Sequence, residues 1–381
     1  MKICMYTSEF PPDIGGISTY VYNLSKKLVE RGHEVTVITR GTWRKTYYEK
    51  IEGGISVYRV RFIPFFPSPF KIHEIYVTKL LKSLKFDFDL IHLHGYFLPV
   101  KPVFNSSLPV IFTSHGNSTK KLDSMEVKTL HFFIVKLLRK YLFKVEQEIV
   151  QKSDILTAVS NSSANNFRMY HSIKREISIV HNGVDTDFFT PPENRSNLKS
   201  VLYTGRFEVF KGLFDLIECS SIVCKKYPDV KFILVGTGTI LENLKKQVKK
   251  LELDDNVIFT GSLSRSQIIE YYKNTTIFVL PSYREGFPTS LMEAMSCGGV
   301  PSVATDVEGC DELIEDGENG ILVPPKNPEK LAESIIYLLE NEEFRNRIGI
   351  NARDHIVRNY DWETITDGFE KLYYRLSSRD A

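Results

Sequence analysis

Glu285 and Glu293 frame the stretch REGFPTSLMEA at 284–294. Paired acids can act as general acid and nucleophile on a glycosidic bond. Alternatively, each can accept hydrogen bonds from the hydroxyls of a bound ligand. FVLPSYREGFPTSLMEAMSCG reads as strand, loop and helix, with Pro288 in the first helical turn and Thr289 and Ser290 behind it. Glu285 then lies in the loop and Glu293 about one turn into the helix. The amides at 287–290 offer a helix N-terminus to an anion. The plainer alternative makes Glu285 a helix-dipole partner and Glu293 an exposed helix residue.

Three further stretches carry groups suited to an anionic, hydroxyl-rich ligand. TGRFEVFKG (204–212) puts Arg206 and Lys211 in one loop after a strand. Two fixed cations beside a helix start suit a diphosphate, and the bland reading is a solvated charged loop. SHGN (114–117) puts His115 at the carboxyl end of a strand, where it either contacts a ligand or is a hydrogen-bonded structural residue. DIGGIST (13–19) is a glycine-rich entry to a helix. It is either an anion site or a turn capped by Ser18 or Thr19.

Other patterns point less far. GTGTILENL (236–244) follows a strand and opens a helix, but Leu241 stands where a dinucleotide fingerprint has its third glycine. It reads as a tight turn. DFD (87–89) and DTD (185–187) have a metal-binding form without further carboxylates nearby, and His92 and His94 share one face of a strand without a third ligand. No metal site is expected.

The elements that must position these residues are short apolar runs alternating with amphipathic stretches. Runs at 2–7, 34–39, 89–94, 109–114, 154–160 and 177–185 form one series, and runs at 200–206, 230–238, 256–261, 276–282 and 300–305 a second. Strands apolar on both faces and separated by helices imply parallel sheets, hence two doubly wound α/β domains. We expect an N-terminal domain over 1–185, a linker over 186–199, a C-terminal domain over 200–355 and a closing segment over 356–381. Ligands in such folds sit at the carboxyl ends of strands, which implies a cleft between the two domains.

With 381 residues and 42% hydrophobic content, each domain can bury a core. The net charge of +2 creates no demand for nucleic acid. Five cysteines without a CxxC pair argue for a reducing compartment. No apolar run reaches spanning length, so a cytoplasmic location is expected. Residues 128–144 carry five basic and no acidic residues with apolar side chains on one face. This stretch either packs on its sheet or lies on an anionic membrane surface as a peripheral contact.

The spacing from Glu285 to Glu293 resembles the E-x7-E signature of family 4 of the retaining, nucleotide-sugar-dependent glycosyltransferases. Its companions stand in order: GGI at 15–17, HG at 115–116, NGVD at 182–185, GR and KG across 205–212, GTG at 236–238, EGFP and EAM across 285–295, ENGILV at 318–323 and DWETI at 361–365. The resemblance spans nearly the whole chain. It implies a GT-B fold, two Rossmann-like doubly wound domains facing each other across a cleft, with the donor held mainly by the second and the acceptor by the first. A last helix around 362–377 would return to the first domain.

By the same resemblance, Arg206 and Lys211 hold the donor diphosphate behind Gly205. Glu285 contacts the transferred sugar, and Gly286, Phe287 and the neighbours of Pro288, Thr289 among them, place amides near sugar and phosphate. Glu293 binds ribose, Gly16 approaches the phosphate, His115 lies by the sugar, and backbone near Gly261 meets the base. No metal and no cofactor is implied. One departure is ATDVEGCDEL (304–313), where Glu308 and Asp311 replace the family's usual glycine and proline.

The expected function is retaining transfer of a sugar from a UDP- or GDP-sugar to the hydroxyl of a glycan or lipid-linked acceptor. The rivals are a sugar-nucleotide epimerase, a glycoside hydrolase and a non-catalytic sugar-nucleotide binder.

Overall fold

The computed structural model describes the chain except for Ile14, residues 64–68, 96–97, 116–138, 193–198, Gly299 and 379–381. The chain forms two compact units: Met1–His181 with Ile365–Ala381, and Asn182–Thr364.

In the first unit the strands are β1 (Lys2–Thr7), β2 (Glu34–Arg40), β3 (Tyr47–Lys50), β4 (Ser56–Val60), β5 (Leu90–His94), β6 (Val110–Ser114), β7 (Ile155–Ala158) and β8 (Ser178–Ile179). They lie in the order β3-β4-β2-β1-β5-β6-β7-β8. β1, β5, β6 and β7 are buried almost throughout because helices cover both faces of a parallel sheet. The expectation of a wholly parallel sheet needs correcting at one edge. β3 pairs antiparallel with β4, through a turn in which Gly53 and Gly54 take φ of 83° and 82°. Tyr6, Val77, Ile91, Phe112, Ile149 and Phe167 fill the core.

In the second unit the strands are β9 (Ser200–Thr204), β10 (Lys231–Val235), β11 (Val257–Gly261), β12 (Ile277–Leu280), β13 (Ser302–Thr305) and β14 (Ile321–Val323). Their order is β11-β10-β9-β12-β13-β14, with every neighbouring pair parallel. Taken in sequence this is the doubly wound order 3-2-1-4-5-6, whose winding reverses between β9 and β12. In the first unit the reversal falls between β1 and β5. A crevice for a ligand forms where loops diverge at such a point, so the loops after β9 and β12, and after β1 and β5, are the positions the topology singles out.

The helix Trp362–Ser377 begins in the second unit, where the Trp362 ring lies against Gly183. From Ile365 it belongs to the first unit. There Glu370 bonds Arg31 and His33, and the Tyr373 hydroxyl meets His92 Nδ1 at 2.7 Å. The Phe189 side chain is buried, and Arg353 donates to the carbonyls of Thr186 and Phe189, so this start of the 186–199 segment is pinned within the second unit. All five cysteines are free and buried.

Candidate functional site

The loop after β9 carries Gly205 and Arg206 and then a single 3-10 turn, Val209–Lys211. The loop after β12 runs from Pro281 to Pro288. The two loops dock on each other. Tyr283 N–H donates to the Phe210 carbonyl at 2.8 Å. Gly212 sits at φ 66°, and a Cβ there would fall 1.8 Å from the Pro281 carbonyl oxygen. Only glycine permits both that backbone and that approach.

This docking joins two residues that the sequence reading gave separate tasks. Lys211 Nζ pairs with Glu285 Oε1 at 2.6 Å, with the side chains 16% and 9% exposed. Ser282 Oγ donates to the same oxygen at 2.6 Å. Among the described residues no donor reaches Glu285 Oε2. An ammonium has three donors and spends one on Glu285, so Lys211 can serve an anion as well. Arg206 is exposed, and among the described residues its side chain makes no ion pair. The Tyr203 hydroxyl donates to the Arg206 carbonyl at 3.1 Å, and burial, with Glu285 nearby, holds that phenol well above its ordinary range.

The helix Thr289–Ser296 follows, with Pro288 as its N-cap residue. Pro288 was expected in the first turn. It stands one position earlier because its φ of −77° and ψ of 109° are extended rather than helical. Glu293, in the second turn, is neither exposed nor a partner of Glu285. It is half-buried, and its Oε2 accepts from the Tyr272 hydroxyl at 3.0 Å. Tyr272 also meets Thr204 Oγ1 at 2.6 Å, tying Glu293 to the end of β9. Burial pushes the Glu293 carboxyl up to about 7, against the lowering influence of Tyr272 and Arg265.

Gly286 and Thr289 are exposed and Phe287 is buried, with its carbonyl accepting from Asn182 Nδ2 at 3.2 Å. Gly309 packs on this loop so closely that a Cβ would lie 2.6 Å from the Gly286 carbonyl oxygen. The departures at Glu308 and Asp311 flank that contact, and Asp311 accepts from Gly309 N–H at 3.0 Å. Gly261 bridges Gly236 at the end of β11. The GTG stretch is a turn, with Phe207 N–H donating to the Thr237 carbonyl at 2.9 Å.

In the first unit, Gly16 opens the helix Gly16–Glu30. Neither suggested cap operates: Gly15 is the N-cap, and the Ser18 hydroxyl donates back to the Asp13 carbonyl at 2.7 Å. His115 follows β6, with its Nε2 3.2 Å from His94 Nδ1. His92 and His94 are fully buried, and their rings lie 3.9 Å apart.

DFD and DTD serve structure. Asp87 and Asp89 bind Lys2, and Asp185 caps Phe188 N–H and pairs with Arg265. Among the described residues no group of three or more potential ligands could hold a metal ion. Most of the basic stretch 128–144 lies outside the described residues, Arg139–Lys144 alone falling in the helix Arg139–Lys152. Among the described residues no helix is long and apolar enough to cross a membrane.

Sequence reasoning missed Ser282, Tyr272 and Asn182. Asn182 has a signal in the sequence, since it opens the NGVD motif, but the motif alone gives its side chain no task. Tyr272 and Ser282 had none, because each acts on a partner supplied by another element or by loop curvature.

Residues 14–188 match the profile of Glycosyltransferase Family 4, and residues 185–355 that of Glycosyl transferases group 1. An uncharacterized glycosyltransferase of Methanocaldococcus jannaschii is 28% identical over 99% of both chains. Sucrose-phosphate synthase from Thermosynechococcus elongatus superposes with a TM-score of 0.80, at 22% identity over 99% of both chains. Anabaena HepE in complex with UDP gives 0.76, at 19% identity over 98% of this chain and 100% of that one. Two profiles meeting end to end and a shared two-unit architecture have one reading: the chain belongs to family 4 of the glycosyltransferases, the glycosyl transferases group 1, and is a transferase enzyme of GT-B fold.

Proposed function

We propose that the enzyme moves a sugar from a nucleoside-diphosphate sugar to an acceptor hydroxyl with retention at the anomeric carbon. One observation carries this reading. The Arg206–Lys211 loop is locked onto the Glu285 loop beside the β9/β12 reversal, at the N-terminus of the helix Thr289–Ser296. Cations and a helix N-terminus are what a departing diphosphate requires.

Arg206, Lys211 and the N–H groups of Gly286, Phe287 and Thr289 take up the growing charge of the leaving diphosphate, behind the turn at Gly205. Glu285 keeps Oε1 on its internal donors and offers Oε2 to a sugar hydroxyl. Glu293 accepts from the ribose hydroxyls, and backbone at Gly261 meets the base. In the first unit, Gly16 approaches phosphate and His115 donates to the transferred sugar. The acceptor hydroxyl attacks the face the diphosphate leaves, without a protein nucleophile. Neither a metal ion nor a cofactor takes part, since the side chains supply the charge.

The arrangement disfavours a glycoside hydrolase. Its two acids must address one bond about 5–9.5 Å apart, whereas Glu285 is neutralised by a lysine and Glu293 is held by a phenol on another helix. HepE holds UDP, which makes UDP the first nucleotide to try. The acceptor class is a cell-surface glycan, a glycolipid or a lipid-linked oligosaccharide, handled on the cytoplasmic side.

The test is a thermal-shift panel of UDP, GDP, ADP and their sugars, followed by transfer assays with and without EDTA. One nucleotide class should raise the melting temperature by mass action, and EDTA should leave transfer unchanged. Indifference to every nucleotide would sink the reading. Turnover of the nucleotide sugar to an epimer without acceptor would move it to an epimerase, and binding with no turnover to a passive binder.

A further inference from the structure

The carboxyl ends of β5 and β6 carry a hydrogen-bonded chain whose direction can be worked out from its end. The Thr157 hydroxyl donates to the Phe112 carbonyl, which can only accept. Thr157 and Thr113 Oγ1 are 2.6 Å apart, so Thr113 must donate to Thr157. Thr113 Oγ1 lies 2.7 Å from His92 Nε2, and with its own proton committed it accepts there, so the His92 proton is on Nε2. His92 Nδ1 is then bare and accepts from the Tyr373 hydroxyl at 2.7 Å. Every member has one role, and His92 is neutral with a fixed tautomer.

The His94 ring packs against that ring, tilted by 39°, and adds one bond, Nδ1 to His115 Nε2 at 3.2 Å. His94 Nε2 is buried and has no hydrogen-bond partner. If His115 were the donor, the His94 proton would sit on Nε2 as a buried, unbonded N–H, and orphaned N–H groups are rarer than under-used acceptors. If His94 donates from Nδ1, Nε2 is only a bare lone pair. The second arrangement strands the weaker demand. It makes His115 an acceptor at Nε2 and places the neutral His115 proton on Nδ1.

We propose that His94 is a positioning residue: packed against His92, it donates to His115 Nε2 and so holds His115 as a neutral hydrogen-bond donor at Nδ1 rather than as a base. This rests on the reading that His115 serves the transferred sugar. Among the described residues, the rings of Tyr20 and His92 pack on the pair, with Phe369 and Tyr373 against His92. Burial, then His92 and His115, hold the His94 imidazole well below its ordinary range, so it donates as a neutral ring.

The test labels the histidines of the full chain with nitrogen-15 and reads each tautomer by long-range proton–nitrogen correlation. His92→Asn, His94→Asn and His115→Asn assign the signals by loss. The expected pattern is His92 protonated at Nε2, and His94 and His115 at Nδ1. His94→Asn places an amide N–H near the lost Nδ1–H, so it should keep the His115 tautomer and most of the transfer rate. His94→Ala should leave His115 a tautomer mixture and lower kcat by about 10-fold with less change in the donor KM, the scale of lost orientation. A His115 signal protonated at Nε2 in the wild type overturns the proposal even if His94→Ala does not fold. An unchanged His115 spectrum in His94→Ala also overturns it. The tautomers as assigned, combined with full transfer by His115→Asn, would instead remove His115 from the sugar and the positioning role with it.

Discussion

The two units use one topological device for opposite electrostatics. Each sheet reverses its winding once, and each places conspicuous polar residues on or just after a strand at that reversal. In the second unit the loops after β9 and β12 hold formal charge, with Lys211 on Glu285 and an exposed Arg206 beside them. In the first unit β5 holds His92 and His94 as a fully buried pair kept neutral. Fixed cations stabilise a leaving anion, whereas neutral imidazoles donate to hydroxyls without adding field. The fold sets where a ligand can sit, and side-chain pairing sets the charge it meets.

The largest effect should come from breaking the charged loop. Lys211→Ala removes a cation from the diphosphate and strands a Glu285 that is only 9% exposed. We expect transfer to fall about 10²–10³-fold and stability to fall by about 3 kcal/mol. Lys211→Met with Glu285→Gln separates the two, since the double variant should regain stability without regaining transfer. Full transfer by Lys211→Ala would end the charge assignment.

Gly212→Ala comes next and tests the docking that makes the loop pair possible. Its φ of 66° and the 1.8 Å approach to Pro281 cannot both survive a methyl group. We expect a loss of about 2 kcal/mol or more in urea unfolding, with weaker nucleotide binding. Unchanged unfolding would mean the loops tolerate separation.

Legibility followed the range of the interactions. β1, β5, β6, β9 and β12 were readable because a strand buried on both faces shows as a short run dense in apolar residues. β3 and β4 were not, since YYEK alternates half-buried and exposed positions and its partner lies across a short turn. β14 has three residues, too few for a period. The cationic loop and the acidic pair were visible as local motifs. Their mutual neutralisation was not, because 74 positions separate Lys211 from Glu285. Tyr272 reads as one more apolar helix residue until the fold brings it to Glu293, 21 positions on.

Glu293 sharpens the comparison through pH. Its folded value of about 7 exceeds the ordinary 4.5. Between those values the folded chain keeps a proton that the unfolded chain has released. The stabilising contribution is therefore complete below about 4.5 and drains away as pH rises through about 7, by at most about 1.4 kcal/mol per pH unit. Urea midpoints from pH 5 to 8 should fall for the wild type relative to Glu293→Gln. Parallel curves would show that the carboxyl is ionised throughout. Ionised Glu293 is also the better acceptor for ribose hydroxyls, so nucleotide affinity should rise over the same interval.

The smallest expected effect probes the neutral side. Tyr373→Phe deletes the hydroxyl that donates to His92 Nδ1 and leaves the ring in place. A bare nitrogen then stays buried, at a cost of about 1–2 kcal/mol. The imidazole has an alternative: it can move its proton to Nδ1, but Thr113, already donating to Thr157, would then have no partner at His92 Nε2. The chain is directional, so either response leaves one group unpaired. Urea unfolding gives the cost, and nitrogen-15 spectra show which response occurs. Stability equal to wild type would mean that Tyr373 does not donate to His92, and the direction assigned to the chain would fail at its first link. Transfer should change far less than in Lys211→Ala, because a neutral histidine pair that loses one hydrogen bond still brings no charge to the ligand.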